Sequence, residues 1–203
     1  MKIDGKFAFM SEALSHIRKM INAIQPLTEE EWQWFAAIWH PFTAKRKELL
    51  TRQGEAEKYL YIVEEGIQRV VYFDEQDREA TLVFTYPPSF GGVLDSFLMQ
   101  APSRYFYETL TPSSFLRTSY DELQLLMDKS VNMERMIRKG VTGALSGVLE
   151  RIVELQCFSS EEKFKKLLSR SPHILQLVPH KYLANYLGID PTNFSKLINS
   201  VKI

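Results

Sequence analysis

The residues best placed to do chemistry lie between His180 and Ile198, in the run HKYLANYLGIDPTNFSKLI. Leu183, Tyr186 and Leu187 line one face of a short helix, and Ala184 is small where a second helix must cross. Gly188 follows the helix end, where a left-handed backbone is needed and a Cβ is penalised. Ile189 plugs the turn. Asp190 is a good N-cap, and Pro191 at the first helical position gives up no needed hydrogen bond. Phe194, Leu197 and Ile198 turn the second helix back onto the core. This pattern reads as a helix-turn-helix. Its outward face carries Thr192, Asn193 and Lys196, with Ser195 beside them. Such residues enter the major groove, where Asn pairs bidentately with adenine and Lys reaches guanine or phosphate. Lys181, Asp190, Thr192, Asn193, Ser195 and Lys196 are therefore the candidate DNA-binding residues, with double-stranded DNA as partner. A helical hairpin with no DNA role has the same local pattern.

Charge favours the DNA reading. The chain of 203 residues has no net charge, but residues 159–203 hold seven basic and three acidic side chains, a net +4 on an otherwise acidic body. One basic end is the asymmetry expected of a surface that meets phosphate. Other chemistry finds no support. The one cysteine, Cys157, cannot build a disulfide or a four-cysteine iron–sulfur site. His16, His40, His173 and His180 have no metal-ligand spacing, although haem on a lone histidine stays open. There is no nucleophile elbow, Walker motif or HExxH, so no enzyme is expected. No apolar run is long enough to span a membrane, and the first residues do not form a signal peptide. A cytoplasmic location is expected.

These residues need elements to position them. Residues 8–25 read as a helix, with Met10, Leu14, Ile17, Ile21 and Ile24 at spacings of three and four, ended by Pro26. Thr28 caps a second helix that carries Trp32, Phe35, Ala36 and Trp39 and closes at Pro41. From Glu48 to about Ser119, β-prone runs at 59–63, 69–73, 80–84, 105–107 and 115–116 alternate with turn signals, as in a barrel or sandwich. The aromatic residues at 59–61, 72–73 and 105–107 read as its core. A short apolar helix follows Gly91-Gly92, and another covers 121–128.

A long helix is expected from Val131 to Cys157. Ile137, Val141, Ala144, Val148, Ile152 and Leu155 fall at spacings of 4, 3, 4, 4 and 3, a seam that pairs with a second copy of the chain. A helix packed only on its own barrel is the other reading. Gly140, Gly143 and Gly147 lie in the same helix, at roughly 1 kcal/mol each relative to alanine. A further helix starts at Ser160 and runs to about Ser169, and a loop or short hairpin is expected around Ile174–Val178, between Pro172 and Pro179.

In this order the elements resemble the transcription regulators related to the cyclic AMP receptor protein and Fnr (the Crp/Fnr family), over about residues 28–203. Leu50-Thr51-Arg52-Gln53-Gly54-Glu55 and Tyr59-Leu60-Tyr61-Ile62-Val63-Glu64-Glu65-Gly66 look like the family's first strands and glycine turns, and Phe90–Phe106 is similar in place to its phosphate-binding cassette. The resemblance implies an α+β chain: an N-terminal helix (1–27), a jelly-roll barrel of cyclic-nucleotide-binding type (28–128), a dimerisation helix (129–158) and a winged-helix-like helix-turn-helix domain (159–203). It implies a homodimer on a pseudo-palindromic site, with RNA polymerase as a further candidate partner. Since the sequence given stops at Ile203, a wing is expected to be absent or to lie around Ile174–Val178.

The cassette departs from the family pattern. A cyclic-nucleotide site needs a glycine-acid pair for the ribose hydroxyl and an arginine for the phosphate. Gly92 is followed by Val93, and Asp95 is expected to point elsewhere. Arg104 matches the arginine, but bulky Tyr105 stands where a small hydroxyl residue belongs. The long helix offers apolar Val148 and Leu149 where cAMP-binding members aim polar groups at the base. Gly92, Val93, Arg104 and Tyr105 thus form a candidate ligand pocket in which cAMP is not expected, another small ligand stays open and no cofactor is assigned. The rival function is a small-molecule sensor that signals through protein partners and whose helix-turn-helix no longer binds DNA.

Overall fold

The computed structural model describes residues 4–200, with side chains from Leu14 onward. Met10 of the expected first helix lies outside the described side chains. Helix α1 (Asp4–Ile24) begins earlier than the spacing alone suggested and ends before Pro26. Helix α2 (Glu29–Ala37) opens on a capping box: the Thr28 side chain accepts from the Glu31 N–H, and Glu31 Oε2 accepts from the Thr28 N–H at 2.9 Å. Trp39 lies beyond the end of α2 and is buried.

Eight strands follow: β1 (His40–Ala44), β2 (Leu49–Thr51), β3 (Tyr59–Glu65), β4 (Gln68–Phe73), β5 (Glu79–Thr85), β6 (Ser89–Gly91), β7 (Phe106–Thr109) and β8 (Ser113–Ser119). They form two four-stranded sheets, ordered β1-β8-β3-β6 and β2-β7-β4-β5, which is a jelly roll. The sequence reading began the β region at Glu48 and missed β1. The structure corrects this: β1 is an edge strand paired only with β8, and an edge tolerates the missing N–H of Pro41.

Alternation along the strands separates two cores. Leu60, Ile62 and Leu116 point one way, into a cluster with Ile17, Ile21, Phe35 and Trp39 from the N-terminal helices. Tyr61, Val63 and Phe115 point the other way, into an aromatic cluster with Val70, Val93 and Tyr107. Tyr61 and Tyr107 are accordingly core, with Tyr59 and Tyr105 packed against them, whereas Tyr72, Phe73 and Phe106 are half-buried and outside both clusters.

Helix α3 (Leu94–Met99) follows Gly92, and α4 (Tyr120–Lys129) opens on a capping box made by Ser119 and Glu122. Burial raises the Glu122 pKa, but the Ser119 N–H, the His40 ring 2.7 Å away and the Ser119 hydroxyl outweigh it, and the net value falls from 4.5 to about 2. A lowered carboxyl stabilises the fold above its unfolded value and loses that contribution as pH falls through the folded one. Acid unfolding monitored by circular dichroism should therefore show Glu122→Gln losing less stability than the parent between about pH 4.5 and pH 2. An unchanged acid limb would mean that Glu122 is not a titrating contributor.

Helix α5 (Val131–Cys157) has the bounds expected from the sequence. It is followed by α6 (Ser160–Arg170), α7 (Ile174–Leu177), α8 (His180–Leu187) and α9 (Pro191–Ser200). The loop or hairpin expected around Ile174–Val178 is instead the single helical turn α7, with Ile174 and Val178 buried. A wing is therefore not found at that place. By contact density the chain divides into two compact units. One runs to Val70 and resumes over Phe84–Thr142; the other joins Val71–Val83 to the chain from Gly143 onward. Among the described residues no helix is long and apolar enough to cross a membrane.

Candidate functional site

The first candidate site is the pair α8 and α9. Helix α8 ends on Gly188 at φ 61° and ψ 39°. The Ile189 N–H donates to the Ala184 carbonyl at 2.9 Å and the Gly188 N–H to the Asn185 carbonyl at 3.0 Å. These two bonds form a Schellman turn, which requires the left-handed residue that glycine supplies. Asp190 Oδ1 accepts from the Thr192 N–H at 2.8 Å and the Asn193 N–H at 3.3 Å, capping α9. Phe194 packs edge-on against Phe164 of α6, with ring centroids 5.5 Å apart. Leu183, Ala184, Leu187, Ile189, Phe194 and Leu197 are all buried.

This packing leaves Thr192, Asn193, Ser195 and Lys196 exposed. Thr192, Asn193 and Lys196 share the outward side of α9, opposite Phe194 and Leu197. Two of the sequence-chosen residues have local duties. The Asp190 carboxyl is used in the cap, and the Ser195 hydroxyl donates to the Pro191 carbonyl at 3.0 Å. Lys181 is on the first turn of α8, its ammonium 4.5 Å from the Tyr182 ring centroid. Of the other basic residues, Lys166 is exposed and Lys165 pairs with Glu161 at 2.6 Å.

Within the same unit, α5 is bound to the C-terminal helices by charge. Glu154 is buried and meets Arg170 of α6 at 2.5 Å and Arg151 at 3.5 Å. Arg151 lies 3.9 Å over the Tyr186 ring and donates to the Tyr186 carbonyl. The rest of the seam faces outward. Ile137 and Val141 are half-buried, whereas Ala144, Val148, Ile152 and Leu155 are exposed. Leu145, Leu149 and Val153, which the sequence reading left out of the seam, are more than half exposed. Val141, Leu145, Val148, Ile152 and Leu155 follow spacings of 4, 3, 4 and 3, a regular heptad pattern.

The second candidate site is the cassette at the amino end of α3. Val93 is buried, and Tyr105 packs against the same aromatic cluster. Gly92 precedes Val93 directly, so these three candidates lie together, while Arg104 and Asp95 are exposed. What lies against Gly92 and Val93 is two residues that sequence reasoning did not assign to the site. The Val93 N–H donates to Glu57 Oε2 at 3.1 Å, and the Gly92 N–H bonds the Tyr107 hydroxyl. Glu57 also accepts from Thr51 Oγ1 and from the Tyr59 N–H. Tyr107 Oη lies 2.9 Å from Thr85 Oγ1, which is hydrogen-bonded to the Gln68 side-chain amide at 2.9 Å. Burial pushes the Glu57 carboxyl and the Tyr107 hydroxyl above their ordinary pKa values. Gly92, at φ 110°, has the Tyr59 carbonyl 3.1 Å from where a Cβ would stand. The Gly92 and Val93 N–H groups are thus met by the chain's own side chains, beside the aromatic cluster that holds Val93 and Tyr107. At the end of the same cluster the Arg117 guanidinium lies between the rings of Phe42 and Tyr59, at 4.0 and 4.1 Å. Among the described residues no group of His, Cys, Asp or Glu side chains could hold a metal ion.

The described residues thus comprise an eight-stranded jelly roll, a long helix and a set of shorter C-terminal helices. The family model of the cyclic nucleotide-binding domain matches residues 41–130. Among solved structures the chain is similar to FixK2 from Bradyrhizobium japonicum, at 16% identity and a TM-score of 0.73 over 80% of this chain and 83% of that one. It is similar to the c-di-GMP-responsive global regulator CLP from Xanthomonas campestris, at 19% identity and a TM-score of 0.60 over 85% and 90%. The catabolite activator protein of Thermus thermophilus matches at 19% identity and a TM-score of 0.54 over 86% and 83%. These likenesses establish the fold. No curated protein matches the chain in sequence.

Proposed function

We propose that this chain is a cytoplasmic, non-enzymatic transcription regulator of the Crp/Fnr type that binds a pseudo-palindromic DNA site as a homodimer. The observation that carries the reading is the exposed trio Thr192, Asn193 and Lys196 on a capped helix, held by the Schellman turn at Gly188. A major groove admits such a helix, and its first turns reach base edges. The exposed heptad on α5 supports a parallel partner helix from a second copy, and two-fold symmetry then presents two recognition helices to successive grooves. RNA polymerase is a further partner such a regulator would engage.

The barrel, in this proposal, does not bind cAMP. Val93 provides no carboxylate for a ribose hydroxyl, Arg104 stands in solvent, and Glu57 and Tyr107 occupy the cassette N–H groups. The bonds from Glu57 and Tyr107 to the cassette backbone also weigh against the reading in which the barrel is a small-molecule sensor acting through protein partners.

Fluorescence anisotropy with a random-sequence DNA pool at two salt concentrations, with and without cAMP, tests the reading. Salt-sensitive binding that enriches a two-fold-symmetric site and ignores cAMP is expected; no binding under any condition overturns it. Within the same assay Lys196→Ala should weaken binding and reduce the salt slope by about one unit, the signature of one lost phosphate contact. An unchanged slope would remove Lys196 from the phosphate interface.

A further inference from the structure

β5 is the last strand of its sheet, so one of its edges has no neighbouring strand. At that edge two backbone groups are met by a single side chain from α8. Asn185 Nδ2 donates to the Glu79 carbonyl at 2.7 Å, and the Thr81 N–H donates to Asn185 Oδ1 at 2.6 Å. In a parallel ladder one residue bonds the C=O of residue i−1 and the N–H of residue i+1 on its neighbour. The Asn185 amide, with its donor and acceptor side by side, supplies that same pair of bonds to positions 79 and 81. No other uncharged side chain except Gln carries both groups in this arrangement, and Gln is one methylene longer.

The neighbours of Asn185 show what it holds. Ala184 is buried under the crossing of α8 and α9, and Tyr186 carries the Arg151 guanidinium on its ring. Three consecutive residues therefore fix α8 to α9, to the β5 edge and to α5. The strand end at the other side of the contact is stiff as well. Asp74 Oδ1 accepts from the Gln76 and Arg78 N–H groups at 2.9 Å, and its Oδ2 accepts from Arg78 Nε at 2.6 Å, which closes the turn between β4 and β5. The outward trio on α9 takes no part in these bonds.

We propose that Asn185 is a positioning residue: its amide ties the helix-turn-helix to the outer edge of β5, so that the hairpin of residues 71–83 and the DNA-reading face of α9 move as one body. The inference rests on the DNA-binding reading above. It assigns Asn185 a role in affinity without contact to DNA, and it makes the hairpin the element through which the reading face is oriented. A dimer must present two such faces at one spacing, so any looseness at this contact is felt at both half-sites.

Two variants test it, Asn185→Ala, which deletes both bonds, and Thr81→Pro, which deletes the strand's donor at an edge where proline is tolerated. Hydrogen exchange of the intact protein without DNA reads the contact, and anisotropy on the selected DNA site reads its consequence. Asn185→Ala should speed exchange at Thr81 by at least roughly tenfold and weaken DNA binding by roughly tenfold, the scale of one or two net hydrogen bonds. The salt slope should not change, because no phosphate contact is lost. Thr81→Pro should weaken DNA binding in the same direction, which separates the contact from any folding defect peculiar to one variant. Unaltered exchange at Thr81 overturns the contact, and faster exchange with affinity within twofold of the parent overturns the positioning role. A parent protein that binds no DNA at all is a different result: it removes the DNA-binding reading itself, and the positioning role with it.

Discussion

Tyr107→Ala is expected to lower the stability of the barrel by roughly 3–5 kcal/mol, the range for truncating a fully buried aromatic ring. The Tyr107 side chain is completely buried, with its ring centroid 5.6 Å from that of Tyr61. Truncation removes the ring's contacts and leaves a void that the surrounding strands can close only in part. It also strips the hydroxyl that joins Thr85 to the Gly92 N–H, so that Thr85 keeps only its bond to Gln68 and the Gly92 N–H loses this partner. Tyr107→Phe separates these contributions. It keeps the ring and should cost only about 1–3 kcal/mol, the penalty for buried groups left unsatisfied. Urea denaturation is the measurement, with a lowered midpoint and an unchanged slope as the expected result. If Tyr107→Ala shifts the midpoint no more than Tyr107→Phe does, the ring does not contribute to the packing of the barrel. Binding adds a second readout. A cavity opened at Tyr107 is lined by aromatic and aliphatic side chains, so the alanine variant should take up a small apolar molecule that the parent excludes.

The helix-turn-helix was legible because its requirements are local. Gly188 must take a positive φ, Asp190 must cap within three residues, and Pro191 must start a helix. Each constraint is written into adjacent positions, and the structure meets each one. Strand β1 was not legible, because Pro41 is as good a helix terminator as it is an edge-strand residue, and its partners in β8 run from Arg117, opposite His40, to Ser113, opposite Ala44. The run Ile174–Val178 is short and apolar, and periodicity cannot separate one helical turn from a strand over so few residues. The cassette was legible as a departure at Val93, but not in the groups that bond its backbone. Glu57 reaches Val93 across 36 residues, and Asn185 reaches Thr81 across 104. Nothing in the neighbourhood of either residue in sequence distinguishes it from a surface carboxyl or a surface amide. On α5 two overlapping stripes share the same residues. The spacing through Ala144 and the spacing through Leu145 both read as seams, and both residues are exposed.

That exposed stripe carries the second large expected effect. Leu145→Glu with Ile152→Glu should convert a dimer into a monomer and weaken binding to a two-fold-symmetric DNA site by roughly 10²–10⁴-fold, the gain that linking two binding modules supplies. The reason lies in what the same substitution costs in each state. In a single chain Leu145 is 57% exposed and Ile152 44% exposed, so a carboxylate at either position stays hydrated, and glutamate is a good helix former. In a paired seam both positions are desolvated, and two symmetry-related carboxylates stand there with no cation opposite, a penalty of several kcal/mol per buried ion. The monomer should therefore fold with little change in its melting behaviour while the association constant collapses. Sedimentation velocity measures the first consequence and anisotropy the second, on the same samples. A variant that remains a dimer places the interface away from Leu145 and Ile152. A variant that is monomeric yet binds the site as tightly as the parent means that the two recognition helices act independently, and a symmetric site would then have no physical basis. The salt dependence discriminates further: one head in place of two should halve the slope, because half of the phosphate contacts are gone.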